Sequence, residues 1–351
     1  MNDMIREKCE LLANNHSAIK KKFAFENDLM CVAAGLIFSV ADREADVEKM
    51  AECRKILRNQ TGLFSKLRKT VELAIISKMA LSDDPERYIA GVMKVYEMLR
   101  KAKFEENSYM ALAGMMICDL GAQDNCDEVI EKAQEILKRM EKTHPFLTSS
   151  EDTSFVILLA LSYKDADTII KDLEDGYEYF RKMNKLWGSK DAVQGLCEVL
   201  AVTYGDMRSK CDKVVNIVKA FKNRKAAFGN DKELPALGTL ADIDMSPVEL
   251  ADEIIAASEL LKEKAGFGDK AVNKEQRMMY AAMLIACAYG QDPDVMSNPM
   301  ISNTFSIITA KRIANTVSII INLATEIIPA LAGAAADKKD PSGDQDNEIK
   351  K

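Results

Sequence analysis

A short motif recurs through the sequence at nearly regular intervals. Each copy has a leucine or phenylalanine followed directly by lysine or arginine, and then a phenylalanine or tryptophan five to nine residues after the leucine or phenylalanine. The marker residues are Leu57, Leu99, Leu137, Phe180, Phe221 and Leu261, and their spacings are 42, 38, 43, 41 and 40 residues. A fixed period in this range is typical of stacked structural repeats.

Each repeat has the same internal plan of an apolar segment, a short acidic turn and an amphipathic segment. The first type is exemplified by "TVELAIISKMALS", and the second by Ile89, Val92, Met93, Tyr96 and Leu99 at three- and four-residue steps. We expect the apolar helix to be buried between neighbours and the amphipathic helix to lie outside. The pattern predicts an all-α fold, an α-solenoid-like array of stacked antiparallel helix pairs with a period of about 40 residues.

The repeats divide the chain into four predicted parts. These are an N-terminal helical cap at 1–28, six to seven helical pairs at 29–300, an apolar capping helix at 301–336 and a disordered tail at 337–351. From Ile313 to Ala336 the only charged residue is Glu326, and this length is enough to span a bilayer. A charge in the middle of a span is costly. We therefore prefer a capping helix, with self-association as the next reading and a membrane role as the last.

The acidic turns raise a choice between metal ligands and helix starts. Asp83 and Asp84 precede Pro85, and a similar arrangement occurs at Ser246, Pro247 and Glu249 and again at Asp292 and Pro293. An aspartate or serine at the N-cap, proline at the first helical position and a carboxylate in the first turn all favour a helix start. No histidine lies near these turns. We interpret them as helix caps and predict no metal site.

Composition excludes several kinds of protein. The net charge of −7 disfavours a chain dominated by nucleic-acid binding, and the eight cysteines contain no C-x-x-C pair, which fits a reducing cytoplasm. The N-terminus has no apolar signal core. His16 and His144 are the only histidines, and no catalytic or cofactor-binding motif is present. We predict a cytoplasmic protein without a cofactor, and the sequence names no reaction.

The candidate binding residues lie next to the markers. Basic residues follow the markers, including Arg58, Arg100 and Arg181, and would form a row along one edge of the array. The segment "LFSKLRK" adds Phe64, Ser65 and Arg68 at the junction of two repeats. The alternatives are that the cations complement helix dipoles, that Ser65 caps the next helix and that Arg68 bonds an acidic turn.

Several stretches, "NDLMCVAAGLIFS", "TGLFSKLR", "MALSDDPER", "AKFEENSY" and "RMMYAAMLIA", give the chain a family resemblance. The sequence resembles an uncharacterised bacterial family known as domain of unknown function four thousand and three, over most of the chain up to about residue 290. The resemblance implies a soluble helical protein of Gram-positive type bacteria. It carries no catalytic residues.

These observations favour a cytoplasmic interaction module that binds a protein or peptide on the concave face of the array. Homo-oligomer formation through the C-terminal helix is a further expectation, and a membrane partner is not expected. The first alternative is nucleic-acid or other polyanion binding through the basic regions 49–69 and 208–225, each with a net charge of +6. The second alternative is an enzyme with a carboxylate site.

Overall fold

The computed structural model describes residues 1–63, 65–68, 71–143, 152–183, 189–203, 205–226, 228 and 233–289. Within these residues the chain forms fourteen α-helices and one 3-10 helix, and no β-strand. The predicted all-α class is confirmed. The α-helices are α1 Asp3–Lys22, α2 Asp28–Val40, α3 Val47–Gln60, α4 Glu72–Leu81, α5 Pro85–Lys101, α6 Ser108–Asp119, α7 Cys126–Thr143, α8 Thr153–Ala160, α9 Ala166–Arg181, α10 Lys190–Val202, α11 Met207–Asn223, α12 Leu234–Gly238, α13 Pro247–Lys262 and α14 Lys274–Tyr289.

Burial alternates along the chain. In α8 every residue is buried, and in α2 every residue except Asp28 is buried. In α3, by contrast, only Met50, Cys53 and Leu57 are buried. The even-numbered helices are apolar on most sides and therefore need neighbours on most sides, whereas the odd-numbered helices need cover on one face. The predicted contrast between a buried and an outer helix is present.

The contacts between helices follow the order of the chain and return to its start. Each odd-numbered helix packs against the next odd-numbered helix, and α13 packs against α1. The even-numbered helices pack in the same order except for α4 and α6, and α14 packs against α2. Between α4 and α6 the 3-10 helix Lys66–Arg68 contacts both helices. Residues in α1 thus contact the last described helices, α13 and α14, as well as α2 and α3.

Polar contacts join neighbouring odd-numbered helices. At six of the seven junctions, a polar contact joins the end of one helix to the first half or middle of the next. Lys22 pairs with Glu48 at 2.6 Å, and Arg139 pairs with Asp167 at 2.7 Å. Between α1 and α13, the Asn2 amide also donates to Glu253 at 3.1 Å.

Packed helices joined by short connections run antiparallel, which gives the molecule two different rims. The cap rim is where even-numbered helices end and odd-numbered helices begin. There Asp84 accepts from the Arg87 amide with Pro85 at the first helical position, and Ser246 and Glu249 form a capping box. Both predicted helix caps are confirmed. The loop rim is where odd-numbered helices end and even-numbered helices begin.

Lysine side chains hold the carbonyl ends of the even-numbered helices at the cap rim. Lys49 donates to the Ser82 carbonyl and Lys132 to the Ser162 carbonyl, both at 2.9 Å. At the end of α10, buried Lys164 donates to the Ala201 carbonyl at 2.7 Å and pairs with Asp172 at 2.6 Å, and Lys210 shares the Thr203 carbonyl with it. Burial and the Lys164 charge lower the pKa of Lys210 to about 8. These cations satisfy orphan carbonyls where the helix dipole is negative.

Aromatic residues anchor the loop rim. Phe104, Phe228 and Phe267 are buried after the ends of α5, α11 and α13, as the motif predicts. Five of the six markers are fully buried near helix ends, whereas Leu137 is only half-buried. Met140 and Ile136 are the buried residues near the end of α7, and Met140, in the last turn, is the closer equivalent of the other markers. The predicted cap at Asp292 and the segments 301–336 and 337–351 lie outside the described residues.

Candidate functional site

The α3–α5 junction differs from the other six. No hydrogen bond or ion pair joins α3 to α5 within the residues that the structure describes. The junction instead holds a pocket with a volume of about 280 Å³. Ligand pockets in proteins start at about 300 Å³, so this one suits a side chain or a small molecule. The pocket thus lies between α3 and α5, where no polar contact joins the described residues of the two helices.

Three segments build the pocket. The end of α3 and the following residues supply one wall, α5 supplies the opposite wall, and Glu106 closes the side toward α6. Most of the lining is polar, while Leu67 and Met93 provide apolar surface. The lining residues are Gln60, Thr61, Gly62, Ser65, Lys66, Leu67, Met93, Tyr96, Glu97 and Glu106.

Among its described residues, the site includes one buried polar group without a partner, the hydroxyl of Tyr96. Its side chain is only 8% exposed, and its hydroxyl has no hydrogen-bond partner. Burial, with the carboxylates of Glu106 and Glu97, raises the pKa of Tyr96 to about 12, against the opposing effect of Arg100. The hydroxyl therefore stays protonated at neutral pH. Leaving a buried polar group without a partner costs roughly 1–3 kcal/mol, so a group of this kind beside a pocket is a candidate ligand contact.

The wall after α3 is held by its own local bonds. The Thr61 hydroxyl donates to the Leu57 carbonyl at 2.6 Å, and the Ser65 hydroxyl accepts from the Leu67 amide at 3.3 Å. The Arg68 guanidinium donates to the Thr61 carbonyl at 3.1 Å. Because Ser65 accepts with its oxygen, its hydroxyl proton remains available to a ligand.

The structure places the predicted binding residues in different surroundings. Ser65 lines the pocket, and Arg68 braces its wall. Ser65 caps the 3-10 helix and not α4, which begins at Glu72. Arg100 reaches the site through Glu97, to which it donates at 2.6 Å. Phe64 lies outside the described residues.

Arg58 and Arg181 do not belong to the pocket. Arg58 donates to both oxygens of buried Glu72 at 2.9 and 3.2 Å, while Arg54 stacks over Phe23 at 4.6 Å and also contacts Glu72. This ion-pair group ties α1, α3 and α4 together. Arg181 is exposed in the last turn of α9, where a cation complements the helix dipole.

Sequence reasoning missed Tyr96, Glu97 and Glu106 as site residues. Tyr96 sits on the apolar stripe of α5, so the periodicity assigns it to the core. A hydroxyl on such a stripe needs a partner, and that requirement is the signal that could have found it. Glu97 and Glu106 have no distinguishing sequence pattern.

Several cations of the two basic regions are engaged within the protein. In 49–69, Lys49, Arg54, Arg58 and Arg68 all bond protein groups. In 208–225, Lys210 is buried, and Lys213 and Arg224 bond the Ile243 carbonyl and Asp252. Polyanion binding through these regions stays an untested prediction, with fewer available charges than the sequence count suggests.

Glu198 is the most strongly perturbed acid within the described residues. It is fully buried in α10, and burial raises its pKa well above the usual range. The Gln194 amide donates to its Oε1 at 3.3 Å. Burial therefore favours the neutral form of this carboxyl. No cluster of three or more histidine, cysteine or acidic side chains with metal-site geometry occurs in the described ranges.

A family model described as Protein of unknown function (DUF4003) matches residues 15–313. The chain belongs to this family. No curated protein and no solved structure matches the chain. The family resemblance seen in the sequence is thereby confirmed, and the family carries no assigned activity. Among the helices that the structure describes, none combines the length and the apolar content needed to cross a membrane.

Proposed function

We propose that the protein is a non-catalytic binding module for a protein or peptide partner, which engages the pocket between α3 and α5. The observation that carries the proposal is the buried Tyr96 hydroxyl without a partner, in a polar pocket at the α3–α5 junction. A partner's polar group would satisfy the hydroxyl and supply the contact that this junction lacks. The proposal keeps the cytoplasmic location predicted from the sequence.

The proposal includes a repeat architecture of seven helical pairs, stacked with a period of about 40 residues and closed into a ring. Replacing Leu137 by Met140 makes the marker spacings 42, 41, 40, 41 and 40 residues. The repeated lysine bonds at the cap rim and the contacts of α1 with α13 also support it. Closure changes where a partner can dock. The even-numbered helices are buried, so the outer surface near the loop rim is favoured over a concave inner face.

An enzyme with a carboxylate site would bring acids from different repeats together. In the pocket, both Glu97 and Glu106 come from the α5–α6 pair, and Glu97 is already paired with Arg100. This arrangement suits recognition better than acid–base chemistry, which requires two groups in distinct protonation states.

A comparative capture experiment tests the proposal. The full-length protein is immobilised and incubated with native lysate beside three variants, Tyr96→Phe, Glu106→Gln and Glu105→Gln. Glu105 is exposed, next to Glu106 and outside the pocket lining, which makes it a matched control. We expect a stoichiometric partner with the wild type and Glu105→Gln that is lost or strongly reduced with the other two. Equal capture by all four proteins, or by none, would overturn the proposal.

A further inference from the structure

We propose that the pocket binds a primary ammonium group, the side chain of a lysine presented by the partner, an inference that rests on the proposed function. Tyr96, Glu97 and Glu106 line the pocket, together with the neutral acceptor residues Gln60, Thr61 and Ser65. A lysine ammonium has three N–H donors and no acceptor. Two carboxylates among neutral acceptors therefore suit a cationic donor.

Both carboxylates keep oxygens available for a ligand. Arg100 donates from Nε at 3.1 Å and from Nη2 at 2.6 Å to the same Glu97 oxygen, Oε2. Glu97 Oε1 therefore remains open. Glu106 is exposed and makes no hydrogen bond or ion pair to any residue that the structure describes.

The carboxylates of Glu97 and Glu106 share the pocket with Tyr96. After burial, their negative charges are the next largest causes that raise the pKa of Tyr96. An oxygen without a hydrogen-bond donor beside two acids forms a region of negative potential. A bound cation relieves the repulsion and gives the phenol oxygen a donor.

The apolar part of the pocket fits the stem of a lysine. Leu67 is buried and Met93 is half-buried, and both line the pocket. Lysine covers such surface with its methylene groups while its charged end contacts polar atoms.

Lys66 provides an internal test of the ligand's charge. It is exposed and lies at the edge of the pocket, where its ammonium repels a second cation. Removing this charge should strengthen the binding of a cationic ligand and weaken that of an anionic one. The expected change is therefore opposite for the two ligand classes.

The experiment uses the full-length protein labelled with ¹³C at methionine methyl groups, with the Met93 signal assigned by Met93→Leu. Nα-acetyl-lysine N-methylamide is titrated as the probe, and the acetylated methylamides of norleucine and glutamate serve as controls. We expect a saturable shift of the Met93 methyl signal with the lysine probe alone.

Variants then locate the contacts. We expect Glu106→Gln to weaken the affinity for the lysine probe by up to about five-fold, the range for an exposed ion pair. Tyr96→Phe should weaken it roughly three- to ten-fold through loss of one hydrogen bond. Glu105→Gln should leave the affinity unchanged, and Lys66→Met should increase it by up to about five-fold.

Equal shifts with norleucine, a stronger response to glutamate, or weaker lysine binding in Lys66→Met would each overturn the inference. The same holds if no probe shifts the Met93 signal. If the inference fails while capture of the partner still depends on Tyr96 and Glu106, the ligand class is wrong and the proposed function stands. Failure of that capture would instead remove the proposed function itself.

Discussion

The cap rim and the loop rim differ in the length of their connections and in how the polar groups near the helix ends are satisfied. At the cap rim the connections are short, as with residues 82–84, and the helix ends are capped by acids or held by lysines. At the loop rim the connections at 61–71 and 263–273 are longer, and the pocket with its unsatisfied Tyr96 hydroxyl lies beside the first of them. Within the described residues both rims contain buried polar atoms without a partner, such as Ser162 Oγ at the cap rim. The loop rim differs because its unpartnered Tyr96 hydroxyl belongs to a residue that lines a pocket.

The largest effect is expected at the cap rim, from Lys164→Met. The substitution leaves the Ala201 carbonyl without its donor and Asp172 without its cation. Removing one partner of a buried ion pair costs roughly 3–5 kcal/mol, so the free energy of unfolding should fall by about 3 kcal/mol. Urea unfolding followed by circular dichroism measures the change. Lys171→Met, at an exposed position of α9, is the control, and equal effects of the two substitutions would contradict the role given to Lys164.

The helix caps of the same rim are expected to contribute less. Asp84→Ala removes the acceptor of the Arg87 amide and should lower the free energy of unfolding by about 1 kcal/mol. Asp83→Ala is the matched control, because Asp83 is exposed and the adjacent Asp84 makes the cap bond. Thermal unfolding distinguishes the two. A metal or catalytic role for the acidic pair would instead make both substitutions alter function with similar small effects on stability.

Local signals predicted the cap rim well. An aspartate before a proline, or a serine three residues before a glutamate, specifies a helix start within a few residues. The apolar character of the even-numbered helices was equally plain. These features depend on neighbours in sequence, which is why Asp84 and Ser246 were predicted correctly.

Local sequence signals did not predict the loop rim or the contacts of α1 with α13 and α14. The contact of Asn2 with Glu253 joins residues 251 positions apart, and no periodicity encodes it. The shift from Leu137 to Met140 depends on how α7 packs, since both positions are apolar. Tyr96 was placed on the apolar stripe, and only the contacts around it show that its hydroxyl lacks a partner. Sequence therefore predicted the helices and their caps better than the contacts between helices that are distant in the chain.

The loop rim also contains His16, whose protonation makes stability depend on pH. His16 is buried where α1 meets the α13–α14 connection, edge-on to Phe267 at 5.2 Å, and a Cβ on Gly266 would lie 2.4 Å from its ring. Burial lowers the pKa of His16, although Asp28 at 3.3 Å opposes the effect. The folded state therefore favours the neutral ring. Lys20 adds to the lowering of the pKa.

The lowered pKa of His16 determines in which direction the free energy of unfolding changes with pH. Because the unfolded chain binds a proton at His16 more readily, the contribution of His16 to stability is present above its usual pKa of 6.5 and is lost as the pH falls through the lowered value. The loss should be at most about 1 kcal/mol between pH 6.5 and about pH 5.5. Urea unfolding of the wild type and His16→Gln at both pH values measures it. A slope with pH that is the same in both proteins would exclude His16 as its source.

The smallest loss of stability is expected at the pocket, from Tyr96→Phe. The hydroxyl makes no hydrogen bond in the free protein, so its removal breaks nothing and removes a desolvation cost, and the free energy of unfolding should stay unchanged or rise by up to roughly 1 kcal/mol. Removing the buried Lys164 charge at the other rim should instead lower this free energy. The same Tyr96→Phe protein should nevertheless lose most of its captured partner, because the missing group is the one that binding would satisfy. Parallel unfolding and capture measurements on one preparation test both halves of this statement. A large loss of stability in Tyr96→Phe would mean that the hydroxyl has a structural partner, and the contrast between the rims would disappear.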